Sequence, residues 1–195
     1  MKDFNPLSSF QEAQKCLSEF LQMDGLSQSI NESVGYIINA FKARKTVISC
    51  GNGGSTCDAM HFAEEFTGRY RKNRSALPAM AVADPSHLTC VSNDYGFDQV
   101  FARTVDAFGQ EDGVLLAIST SGNSQNILEA VKVAHDRKMK IIGLTGKNGG
   151  KLAPLCHTSF IAPGANADRI QEIHIKIIHT LIEGVERELF PENYQ

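Results

Sequence analysis

Apolar residues over the first forty positions recur three and four apart. Leu7, Phe10, Ala13, Leu17 and Phe20 share one helical face, and Ile30, Val34, Ile37, Ile38 and Phe41 share another. Asp24-Gly25 interrupts the pattern, which predicts an antiparallel pair of helices over residues 1–43. From residue 44 onward the period changes. Short apolar runs at Thr46–Cys50, Ala79–Ala83, Gly113–Ile118, Lys140–Leu144 and His157–Ile161 are flanked by Gly, Asn, Ser or Asp, as buried strands are. Helical segments near 55–67, 97–108, 124–136 and 167–189 separate them. This alternation predicts one α/β domain over residues 1–195, with a doubly wound parallel sheet and helices on both faces. Ligands of such sheets bind beyond the carboxyl ends of the strands, so the residues following each strand carry the functional reading.

Two of those loops stand out. Cys50–Ser55 (Cys-Gly-Asn-Gly-Gly-Ser) places three glycines in four positions and leads into a helix that Ser55 opens, with Asp58 spaced for a capping box. A glycine-rich turn at a helix N-terminus suits an anion, and equally suits a capped tight turn. It is not a dinucleotide fingerprint, because Thr56 falls where the third glycine belongs. Ser119–Ser124 (Ser-Thr-Ser-Gly-Asn-Ser) places four hydroxyls in six positions before another helix. Hydroxyls and amide N–H groups can hold phosphate oxygens without a Lys or Arg. The phosphate-binding motif of nucleotide hydrolases and the Gly-x-Ser-x-Gly nucleophile elbow are both absent.

Three further groups are candidates. His61 and Glu65 lie four apart on one helical face, a spacing open to a metal, to acid/base work or to a surface contact. The last helix carries a broad apolar arc from Ile170 to Ile182. Gln171 and His174 fall inside it and His179 at its flank, so periodicity marks His174 more strongly than His179. Asn93 and Asp94 read as a polar loop between helical segments, and Arg69 and Arg71 as solvated or anion-facing.

Composition narrows the partners. The chain has 195 residues, 19 Lys+Arg against 22 Asp+Glu, and a net charge of −3. That balance argues against nucleic acid as the main partner, without excluding a small anion. No apolar run approaches the length of a membrane span, and the first residues lack the apolar stretch of a secretory signal. The five cysteines, none in Cys-x-x-Cys spacing, read as reduced thiols in a cytoplasmic protein.

Six segments in order then add a resemblance: Cys50–Ser55, Asp58–Glu65, Thr67–Tyr70, Ile118–Ser124, Leu144–Lys147 and Ala167–His174. Together they are similar to the phosphoheptose isomerases of the sugar isomerase (SIS) superfamily, over nearly the whole chain. The resemblance implies a three-layer α/β/α sandwich on a five-stranded parallel sheet, assembled as a homotetramer with active sites between subunits. It implies an aldose–ketose isomerase that interconverts sedoheptulose 7-phosphate and D-glycero-D-manno-heptose 7-phosphate through an enediolate, at the start of ADP-heptose synthesis for the lipopolysaccharide core. It assigns the sugar phosphate to Ser119, Thr120, Ser121 and Ser124, with Ser55 nearby. Asn52, Gly53, Gly54, Asn93 and Asp94 would line the substrate. Arg69 and Asp168 would shape the site from the subunit interface. It implies Zn²⁺ on His61, Glu65, Gln171 and His179, and Glu65 with His179 as the acid/base pair, thereby preferring His179 over His174. A second reading is a non-catalytic SIS adaptor resembling the DnaA initiator-associating protein, whose tail Leu189-Phe190-Pro191 resembles. That adaptor lacks equivalents of Glu65 and His179, and both are present in this sequence.

Overall fold

Burial on both faces of the central strands builds the sheet. In the computed structural model, which describes residues 5–195, the five apolar runs are the strands β1 (Val47–Gly51), β2 (Ala79–Ala81), β3 (Val114–Ser119), β4 (Lys140–Gly146) and β5 (Thr158–Ala162). Residues 1–4, the start of the first predicted helix, lie outside the described residues. All four strand pairings are parallel, in the order β2-β1-β3-β4-β5. Along β3, Val114, Leu116 and Ile118 enter one core while Leu115 and Ala117 enter the other, as a period of two requires.

Among the described residues, seven α-helices cover the two faces: α1 (Pro6–Leu21), α2 (Leu26–Lys42), α3 (Gly54–Thr67), α4 (Pro85–Tyr95), α5 (Val100–Phe108), α6 (Gln125–Asp136) and α7 (Ala167–Leu189). Residues of α2, α3 and α7 pack with Leu116, Ile118, Ile142 and Leu144 on one face. Residues of α4, α5 and α6 pack with Ile48, Leu115 and Ile141 on the other. The expected α/β/α sandwich is thus present.

Two readings of the sequence need correction. The first concerns the N-terminal helices, which do not form a packed antiparallel pair. Gly25, at φ +72°, is the N-cap of α2 and marks the break between the two helices as predicted, but α1 and α2 each lie chiefly against α7. The second concerns Asn93 and Asp94, which occupy the last turn of α4 and not a loop. Asp84 caps α4 by accepting from His87 N–H at 2.8 Å, and Pro85 stands at the first helical position. Only Val91 of this helix is fully buried, so there was no apolar period to reveal it.

Candidate active site

The strand order reverses direction of growth between β1 and β3, which are direct neighbours. The carboxyl ends of these two strands flank the crevice where doubly wound sheets bind ligands. The glycine-rich loop leaves β1 there and the serine loop leaves β3.

The predicted capping box at Ser55 does not form. Gly53 is the N-cap of α3 and no side chain caps that helix. Ser55 is buried in the first turn, where its Oγ accepts from Gln171 Nε2 at 3.3 Å, and the Oδ2 of Asp58 is buried without a partner. Ser124 is the N-cap of α6, again without a side-chain cap, because its hydroxyl pairs with Ser119 Oγ at 2.9 Å. Ordinary caps appear elsewhere, on Asn5 and Asp84. The helices that follow β1 and β3 therefore keep their first-turn N–H groups free of side chains, as an anion site requires. Close packing explains Gly54: a Cβ there would lie 2.7 Å from the Gln171 amide. Gly122 turns the serine loop at φ +67°, with Gly149 O only 2.1 Å from where a Cβ would stand.

Asn52 and Asn126 join the two loops. Their amides exchange two hydrogen bonds of 2.9 Å each, and Asn126 is buried in the first turn of α6. Asn126 was missed in the sequence, although a lone amide beside Ile127, Ala130 and Val131 is the same signal that marked Gln171. Ser121 Oγ accepts from Asn123 N–H at 3.1 Å and so shapes the loop, while Thr120 is half-buried at its start.

The second half of the site lies between α3 and α7. His61 Nε2 is 3.3 Å from Glu65 Oε1 and 3.2 Å from His179 Nε2. His179 thus faces the other helix from the flank of its own, and Tyr70 lies beside its ring. Burial and the neighbouring Glu64 raise the Glu65 carboxyl above its ordinary range, only partly offset by His61. Burial, then the charges of His61, Lys176 and Arg71, lower the His179 imidazole. The two shifts bring a carboxyl and an imidazole toward each other on the pH scale, which favours proton exchange between them and a substrate.

Two imidazole nitrogens and a carboxylate converging in this way are also a donor set that suits Zn²⁺. Glu64, overlooked in the sequence, presents its carboxylate within 4.8 Å of the His61 and Glu65 donor atoms. The Gln171 amide is instead engaged at Ser55, at the start of α3, so the fit rests on three donors.

The remaining predicted residues are peripheral in this chain. Arg69 is exposed just after α3; Asn93 donates to Asp94 at 2.8 Å on exposed α4; Asp168 is exposed and pairs with Arg169 at 3.2 Å. Among the described residues, no hydrogen bond ties them to the loops or to the His61–His179 cluster. The cluster itself is complete within one chain. His174, which periodicity favoured, is fully buried behind it, and its Nε2–H donates to Thr145 O at 2.9 Å.

A doubly wound sheet with serine and glycine loops at its switch point defines an α/β protein that binds its ligand beyond the strand ends, and the comparisons name the family. The SIS domain family model matches residues 10–146, and the chain belongs to that family. Within it, the chain is similar to phosphoheptose isomerases. That of Fusobacterium nucleatum is 50% identical over 97% of this chain and 98% of its own length. That of Cytophaga hutchinsonii is 54% identical over 94% of this chain and 96% of its own. Among solved structures, the phosphoheptose isomerase of Neisseria gonorrhoeae superposes with a TM-score of 0.86 at 38% identity, covering 92% of this chain and 96% of that one. All five cysteines are free thiols, and no described helix is long and apolar enough to cross a membrane.

Proposed function

We propose that this chain is an aldose–ketose isomerase that interconverts sedoheptulose 7-phosphate and D-glycero-D-manno-heptose 7-phosphate. The observation that carries the reading is the convergence of His61, Glu65 and His179 between α3 and α7, beside two uncapped helix N-termini at the sheet's switch point. In this reading Ser119, Thr120, Ser121 and Ser124, with Ser55 and the first-turn amides, bind the sugar phosphate. Binding energy at the phosphate then positions the reacting carbons at the far end of the substrate. Glu65 and His179 exchange protons with C1, C2 and their oxygens as the substrate passes through an enediolate. A zinc ion held by His61, Glu65 and His179, with Gln171 as a fourth donor once its amide turns from Ser55, would supply Lewis-acid stabilisation of the developing negative oxygen. Asn52, Gly53 and Gly54 line the sugar.

The same reading places the enzyme in the cytoplasm, at the first step toward ADP-heptose for the lipopolysaccharide core. It also makes the protein a homotetramer, with Arg69, Asn93, Asp94 and Asp168 completing a neighbour's site. Leu7, Phe10, Leu17 and Leu21 support this assembly: they form an exposed apolar stripe at helical spacing on α1. The test is to incubate purified protein with sedoheptulose 7-phosphate, metal-free and zinc-loaded, and to look for the aldose. Conversion is expected, and none under either condition would refute the proposal.

A further inference from the structure

The acid/base cluster is split between two helices, so its geometry depends on how α3 and α7 are held. Apolar packing through Phe62 and Phe66 fixes their faces together but leaves sliding and tilt less constrained. A polar link sits at the end of α3. The Arg74 side chain is only 1% exposed and that of Glu186, on α7, is 0%. Arg74 Nε donates to Glu186 Oε1 at 2.7 Å. Its Nη2 donates to the carbonyl of Glu65 itself at 2.5 Å. Its Nη1 donates to Phe66 O at 2.6 Å, Gly68 O at 3.0 Å and Ser75 O at 3.1 Å. The carbonyls of Glu65 and Phe66 belong to the last turn of α3, where a helix has no intrahelical donors to offer. The second oxygen of Glu186 accepts from Tyr194 OH at 3.1 Å, and the Phe190 ring lies over the guanidinium at 5.7 Å.

We infer that Arg74 and Glu186 are positioning residues for the acid/base pair. Arg74 grips the backbone of Glu65 and is anchored through Glu186 two turns beyond His179, so one guanidinium sets the spacing of the two catalytic helices. A buried ion pair is a poor source of net stability, because desolvation offsets most of its attraction. Geometry is what this one provides: the planar fork of arginine reaches several carbonyls and a carboxylate at fixed angles, which a lysine ammonium cannot do. The inference rests on the isomerase reading for its kinetic consequence, and on the contacts alone for its structural one.

The test uses Arg74→Lys, which keeps the charge but loses the fork, and Glu186→Gln, which keeps the shape but loses the charge. Rates are measured on the full chain well below each variant's own melting midpoint, with sedoheptulose 7-phosphate as substrate. The expectation is a fall of about tenfold in kcat with KM changed by less than about twofold, since a misplacement of order 1 Å at reacting groups is costly. A crystal structure of Glu186→Gln should show the His61–His179 nitrogens parted beyond their 3.2 Å contact. A purely structural role would lower the melting midpoint and leave kcat of the folded enzyme intact. The inference is overturned if both variants, folded, retain kcat within about twofold of wild type. It is equally overturned if the His61–His179 contact survives unchanged in Glu186→Gln. If Arg74→Lys does not fold, Glu186→Gln decides. If the wild-type protein turns over no substrate, the isomerase reading fails separately, and the crystal structure decides the clamp.

Discussion

Replacing His174 with glutamine should flatten part of the pH dependence of stability. His174 is fully buried, and burial pulls its imidazole down from 6.5 to about 4, against a smaller upward pull from its bond to Thr145 O. The folded-state value lies below the unfolded one, so between those two pH values the unfolded chain binds more protons. Stability is therefore undiminished above 6.5 and is lost as pH falls through the window toward 4. With those two values the loss is about 2 kcal/mol by about pH 5 and about 3 kcal/mol by about pH 4. Asp58 works in the opposite direction. Burial pushes it up from 3.8 to about 6, so its contribution grows as pH falls through that value. Comparing wild type with His174→Gln at each pH cancels Asp58 and isolates the histidine. Glutamine can still reach Thr145 O with an N–H, so the variant should cost about 1 kcal/mol at neutral pH. Urea unfolding at one fixed protein concentration, at several pH values from 8 downward, gives the two curves. They should cross as pH falls, leaving the variant the more stable by about 1 kcal/mol near about pH 5. Parallel curves would show that His174 titrates in the folded protein as it does in water, and would refute the burial argument.

Other consequences are open to simple measurement. His61→Ala should cut bound zinc after dialysis far below that of wild type; equal metal content by elemental analysis would remove His61 from the donor set. Phe10→Glu places a charge on a residue that is 73% exposed in the single chain. If that face is an interface, the dissociation constant should rise by at least about tenfold, visible as a smaller species in light scattering. Asn126→Leu leaves the Asn52 amide without its two bonds and should raise KM about tenfold while kcat falls less; an unchanged KM would mean that Asn52 does not need its partner.

Strands and loops were legible because each is a local pattern. Runs such as Val114–Ser119 are buried along their whole length and end at glycine or hydroxyl residues, so period and punctuation coincide. The two candidate loops followed from the rule about strand ends, although only the strand order shows that they are neighbours. What stayed hidden depends on partners distant in the chain. A helical wheel reports burial against the chain's own core, and it therefore selected His174, which is core. It could not select His179, whose partner His61 lies 118 positions away. Asn52 with Asn126, 74 positions apart, and Arg74 with Glu186, 112 apart, escape for the same reason. Helix α4 escaped for the opposite one: it is mostly exposed, and its start is written in Asp84-Pro85 and not in any apolar period.

In the proposed reaction, Glu65 and His179 move a proton between C1 and C2 of a seven-carbon sugar phosphate. The direct measurement is proton NMR of sedoheptulose 7-phosphate in D₂O with wild type, Glu65→Gln and His179→Gln, each confirmed folded by circular dichroism. Wild type should form the aldose and wash solvent deuterium into the carbon positions that exchange through the enediolate. Each variant should lose about a hundredfold or more in rate, as removal of a general acid or base does. Wild-type protein that yields neither aldose nor exchanged deuterium, or variants that keep near-normal rates, would contradict it.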